Sequence, residues 1–153
     1  MTLSVSTGED ILVRGVVALQ VRELLERERR SLGGLRTIGE LRRWAEELVE
    51  LDVQQGSFGG DIGSIVALAP VDADERTALA EGFKAWRDLI AAGLMRMQHE
   101  GTLRNDIGAE DLATGLMAAM QGGYLLMRTA RDARPMRIAL DMALDHIETF
   151  ACP

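Results

Sequence analysis

Residues 72–101 read DADERTALAEGFKAWRDLIAAGLMRMQHEG. Within them Leu79, Phe83, Trp86, Ile90, Leu94 and Met97 recur at spacings of four, three, four, four and three. That is the period of one apolar stripe on an α-helix. A strand cannot carry it, because strand side chains change face at every residue. The acidic opening Asp72-Ala73-Asp74-Glu75 suits a helix N-terminus, and Gly101 supplies a stop. The stretch reads as the longest helix of the chain.

The pattern repeats on both sides. Toward the C-terminus, residues 109–130 read as a helix that is apolar nearly all round. Leu112 to Met127 is an uncharged run of 16 residues holding Gln121 and three glycines. It is short for a bilayer span, so a helix buried on both sides is expected. A last helix begins near Pro135, a favoured first-turn residue, and carries Met136, Leu140, Ala143, Leu144 and Ile147. Toward the N-terminus, Thr37-Ile38-Gly39-Glu40 is a capping box ahead of a stripe of Leu41, Trp44, Ala45, Leu48 and Leu51. Glycines at 56, 59 and 60 break that pattern, and a short helix from about Asp61 to Ala69 ends at Pro70. Ser6-Thr7-Gly8-Glu9 is a second capping box, opening a helix that runs to Leu32 and stops at Gly33-Gly34. Its apolar positions are Val13, Val17, Val21 and Leu24, and Glu23 to Arg30 reads as a charged, solvated second half. No period-two run, fixed repeat or domain linker is visible. The expectation is one all-α domain over residues 1–153, an antiparallel bundle of about six helices.

At 153 residues, with 47% apolar and 27% charged side chains, the chain has ordinary globular composition. The net charge is −7, with eight arginines against six acids in the first 43 residues and nine basic groups against 18 acids in the rest. Such a chain is a poor binder of polyanions by itself. Cys152 is the single cysteine, so no intrachain disulfide can form, which suits a reducing compartment. The polar N-terminus with Glu9 and Asp10 does not resemble a signal peptide. A cytoplasmic protein with no membrane association is expected.

Catalytic constellations are sparse. The histidines are His99 and His146. Asp141 and Asp145 share a helix face beside His146, but without the spacing of a di-iron or zinc motif, so a solvated face is expected. The glycine-rich residues 57–63 follow no strand and precede no lysine, which argues against a phosphate cradle. The expectation is no enzyme, no cofactor and no metal.

Five stretches, in order, resemble the C-terminal domain of tetracycline-repressor-like (TetR-family) transcriptional regulators. They are Ser6 to Leu12, Gly59 to Ser64, Phe83-Lys84-Ala85-Trp86, Gln98 to Leu103, and Leu112-Ala113 through Gln121-Gly122-Gly123. Gly8 stands where the family often has lysine, and Asp61 where cysteine or proline is common. The resemblance implies a domain that binds a small, mostly apolar effector inside the bundle and forms a homodimer. DNA would be read only through a helix-turn-helix not present in this chain, residues 1–12 being a remnant of the junction to it. The first helix would then transmit the ligand's effect.

The candidate pocket residues are Trp44, Leu48, Phe58, Phe83, Trp86, Ile90, Met117, Met120, Gln121 and Tyr124, with Gln121 as polar anchor. They either line a cavity or simply fill the core. In the family the last two helices of each subunit pair with their mates. That places a dimer surface at Gly122, Gly123, Leu125, Ile138, Met142, Asp145, His146 and Phe150. The glycine pair is read either as a close helix approach or as a local kink. The alternative function is a stand-alone helical module that heterodimerises with full-length regulators.

Overall fold

The computed structural model describes residues 8–55 and 73–153. Among them five helices form: α1 Gly8–Leu32, α2 Ile38–Gln55, α3 Ala73–His99, α4 Ala109–Ala130 and α5 Arg134–Glu148. No strand is present among the described residues beyond one isolated bridge, Leu103 to Ala151. The all-α expectation holds. The capping residues Ser6 and Thr7, the glycine break and the short helix over 61–69 lie outside the described residues.

The helix ends follow from their sequences. Thr37 and Glu40 form the reciprocal capping box: the Glu40 amide donates to Thr37 Oγ1 at 3.1 Å, and the Thr37 amide donates to Glu40 Oε2 at 3.2 Å. α3 ends where Gly101 takes φ +80, a left-handed conformation that glycine adopts without a Cβ clash. The Thr102 amide then donates back to the Met97 carbonyl at 2.9 Å. Gln98 spans the turn by donating to the carbonyls of Arg104 at 3.1 Å and Ile107 at 2.9 Å. The tail closes on the same turn. The Arg104 amide donates to the Phe150 carbonyl at 2.8 Å and the Cys152 amide to the Thr102 carbonyl at 2.9 Å.

Cross-helix contacts give the packing directions. α4 and α5 run antiparallel, because Gly123 meets Met136 while Leu112 and Leu116 line one groove with Ala143 and Ile147. α2 runs antiparallel to α5, held by charge: Arg42 pairs with Asp145 and Glu148, both at 2.6 Å, and Arg137 reaches back to Glu46 and Glu50. α1 and α3 run parallel. Val21 packs on Gly82 near the start of α3, and Arg96 near its end donates to the carbonyls of Leu32 at 2.9 Å and Leu35 at 3.0 Å. A Cβ on Gly82 would lie 2.7 Å from Val21 Cγ1, so a glycine is what lets the two helices touch there.

The core takes its inward faces from α2 to α5, with Leu32 at the end of α1. Trp86, Ile90, Leu94 and Met97 of the opening stripe are buried, joined by Leu41, Leu116, Met120, Met127, Met136 and Leu144. Phe83 is half-buried at the edge of the core.

Candidate functional site

One part of the core is polar. Glu28 on α1 is 2% exposed and Asp52 on α2 is 7% exposed, the two buried charged side chains among the described residues. The reading of Glu23 to Arg30 as a solvated half-helix is therefore corrected at Glu28. On a helix that also buries Leu32 and half-buries Val21 and Leu25, position 28 falls on the inward face.

The indole N–H of Trp44 donates to Glu28 Oε2 at 2.7 Å. Arg27 Nε lies 3.5 Å from the other carboxyl oxygen, although its own side chain is 44% exposed. Burial pushes the Glu28 carboxyl above the usual carboxylate range, against the opposing pull of the Trp44 hydrogen bond and of Arg27. Trp86, 1% exposed, lies close enough to favour the ionised form of the same carboxyl. Its Nε1 nevertheless meets no acceptor in hydrogen-bond geometry among the described residues.

Tyr124 on α4 completes the group. Its phenol lies within electrostatic reach of both Asp52 and Glu28. Burial, then the negative charges of Asp52 and Glu28, hold the phenol well above its ordinary range, so it stays protonated. Four helices thus supply one cluster: Glu28 from α1, Trp44 and Asp52 from α2, Trp86 from α3 and Tyr124 from α4. Chemically it offers carboxyl acceptors, an indole donor and aromatic surface in the buried interior.

The expected pocket residues divide accordingly. Trp44, Trp86 and Tyr124 come together around the two carboxyls. Leu48, Ile90, Met117 and Met120 are buried in the same core. Gln121 is half-buried one turn from Tyr124, and its Nε2 has no partner among the described residues. Phe83 lines the α1–α3 seam with Val21, Leu24, Leu79, Gly82 and the edge of the cluster at Trp86. Phe58 lies outside the described residues. Glu28 and Asp52 were missed, although each continues an inward stripe at a spacing of four: Leu24 to Glu28 to Leu32, and Trp44 to Leu48 to Asp52. A carboxylate interrupting such a stripe was the available signal.

The expected dimer surface is exposed in part. Leu125, Ile138 and Met142 are 51%, 48% and 69% exposed, and Leu126, which sequence reading passed over, is 55% exposed. Asp145 is engaged with Arg42 of its own chain. His146 is exposed and meets the half-buried Phe150 edge-on, with ring centroids 5.4 Å apart. Gly122 faces open space. Gly123 is corrected from surface to interior. It does permit a close helix approach, but the helix is α5 of the same chain: a Cβ there would lie 3.0 Å from Met136 Cα and closer still to its sulfur.

No group of three potential metal-binding side chains occurs among the described residues. No described helix is long and apolar enough to cross a membrane. No curated protein and no solved structure matches the chain. Residues 38–142, from the first residue of α2 to the middle of α5, match the family model described as transcriptional regulator LmrA/YxaF-like, C-terminal domain. With that span covering more than half of a chain whose described residues form five helices, the protein belongs to the TetR family of transcriptional regulators, as a C-terminal regulatory domain of the LmrA/YxaF-like kind.

Proposed function

We propose that this domain binds a small, mostly apolar effector among α1, α2, α3 and α4 and forms a homodimer through α4 and α5. The observation that carries the effector reading is the convergence of Trp44, Trp86 and Tyr124 on buried Glu28 and Asp52. Folding alone gains little from two carboxyls in an apolar core, since their desolvation is costly. A binding site uses a few such polar groups to orient a ligand within an aromatic wall.

Mechanism follows as a population shift, limited by the effector's difference in affinity between two helix arrangements. The C-terminal end of α1 is tied down by Arg96 and by Glu28. An effector that contacts Glu28 therefore acts on α1 directly, and α1 transmits the change. Dimerisation is supported by Leu125, Leu126, Ile138 and Met142, large apolar side chains left in water on adjacent helices.

The test is a thermal-shift screen of the domain against a chemically diverse small-molecule library. The expected result is a concentration-dependent rise in Tm for one chemical series, abolished by Trp44→Ala. A screen with no stabilising series sinks the effector reading. Sedimentation equilibrium decides the dimer separately.

A further inference from the structure

We propose that the effector enters and is held at the seam between α1 and α3, and that it is an amphiphilic carboxylate: an apolar body whose acidic head is gripped at the mouth by Arg22 and Arg29. The inference rests on the effector reading above and adds to it the head group and the way in.

The space comes first. α1 and α3 touch where Val21 meets Gly82. Outside that contact lies a groove of about 290 Å³, near the lower end of ligand-pocket volumes, roughly 300–1,000 Å³. Ala18, Val21, Leu25 and Ala78 give it an apolar wall. Inside the contact lies a cavity of about 10 Å³, bounded by Leu24, Leu79, Phe83 and Trp86, with no charged side chain in its lining. Val21 and Gly82 line both spaces, so one valine side chain resting on a glycine separates the groove from the core. Trp86, at the inner end, belongs to the buried cluster. An apolar chain that displaces Val21 joins the two spaces and reaches Trp86. In doing so it pushes α1 away from α3, which is the kind of helix movement a population shift requires.

The charge at the mouth selects the head group. Arg22 and Arg29 stand about two turns apart on α1 and both line the groove, with Glu81 as the one acid beside them. Two guanidiniums against one carboxylate leave the lining net positive, in a chain whose net charge is −7. Neither arginine pairs with a carboxylate among the described residues, whereas Arg27, Arg42, Arg87, Arg104 and Arg137 all do. A guanidinium donates two parallel hydrogen bonds to a carboxylate, and its methylene stem lies along an apolar chain. An alcohol or an ammonium of the same length gains the apolar contact and not the ion pair. The head stays with the exposed arginines, so it does not meet the buried Glu28 carboxyl.

Trp86 walls the inner cavity, so intrinsic fluorescence reports the arrival of a ligand there. The probes share one alkyl chain: octanoate, octanol and octyltrimethylammonium. The expected result is a saturable fluorescence change with octanoate, at about tenfold or greater affinity over the other two. Arg22→Gln with Arg29→Gln alters two exposed side chains and should keep the helical circular dichroism. It is expected to lower octanoate affinity about tenfold while sparing octanol. Arg22→Glu with Arg29→Glu is expected to turn the preference toward octyltrimethylammonium. Equal or tighter binding of octanol or octyltrimethylammonium by the wild type overturns the proposal and leaves the effector reading standing. So does an octanoate preference that either double variant leaves unchanged. No saturable response to any of the three overturns it as well, and the library screen then decides the effector reading alone.

Discussion

At the scale of the residue, two positions carry conformational or electrostatic cost that a substitution can read out. Arg131 closes α4 at φ 52 and ψ 44, a left-handed conformation in which its Cβ crowds the backbone. Glycine there keeps the cap bond from its amide to the Met127 carbonyl and removes the crowding. Arg131→Gly is expected to raise unfolding stability by about 0.5–1 kcal/mol in urea melts. Glu28 carries the second cost. Its folded pKa is raised, so as pH climbs the unfolded chain releases this proton first and the folded state is progressively penalised. Stability from this group is complete below the unfolded carboxyl pKa and is lost as pH rises through the folded one. Glu28→Gln should therefore match the wild type in acid and exceed it in Tm toward neutral and alkaline pH. An advantage that is the same at every pH would show that Glu28 is not desolvated. The aromatic half of this cluster was legible in the sequence, because tryptophan and tyrosine on apolar stripes are recognisably inward. The acidic half was not. Glu28 sits in a run with Arg27, Arg29 and Arg30, and local charge density hid its place on the helix face.

At the scale of the element, two close contacts fix how the helices lie. Gly123→Ala puts a methyl into the Met136 backbone, where nothing flexible can give way fully, and is expected to cost about 1–3 kcal/mol. Arg96 acts on another pair. Its guanidinium satisfies carbonyls at and just past the end of α1, groups a helix terminus leaves without partners. Arg96→Met keeps the stem and removes both bonds, with an expected loss of about 1–3 kcal/mol. Hydrogen exchange in the last turn of α1 should speed up more than exchange in α4. A uniform change across the protein would mean that Arg96 does not pin α1. The helices themselves were readable from the sequence wherever period and punctuation agreed: α2 from Thr37 and Glu40, the end of α3 from Gly101, α5 from Pro135. The partner of each helix was not readable. Gly123 announced a close approach, but whether α5 of the same chain or a helix of a second copy makes it depends on long-range packing that no local pattern encodes.

At the scale of the whole molecule, the α4–α5 face must be reconciled with water. Its interior side is fully used, since Met120, Met127, Met136, Leu140 and Leu144 are buried against one another and the rest of the core. Its outer side leaves Leu125, Leu126, Ile138 and Met142 between 48% and 69% exposed on two helices already rigidly joined through Gly123. Two copies covering that face would remove these side chains from water without altering the core of either. The substitution that reads this out has to spoil the outer face and spare the inner one. Ile138→Asp with Met142→Asp does so, because both side chains point away from the buried stripe of α5. The expected outcome is a wild-type protein that sediments as a dimer and a variant that sediments as a monomer with unchanged helical circular dichroism. Gly122 supplies an independent check. It faces open space in the single chain, where Gly122→Ala gains about 0.5–1 kcal/mol. The gain should appear in the monomeric Asp variant. In the wild-type background it should shrink or reverse, because a second copy of α4 lying against Gly122 leaves no room for the methyl. Equal gains in both backgrounds, or a wild type that stays monomeric, would place the dimer elsewhere and leave the apolar face to another partner.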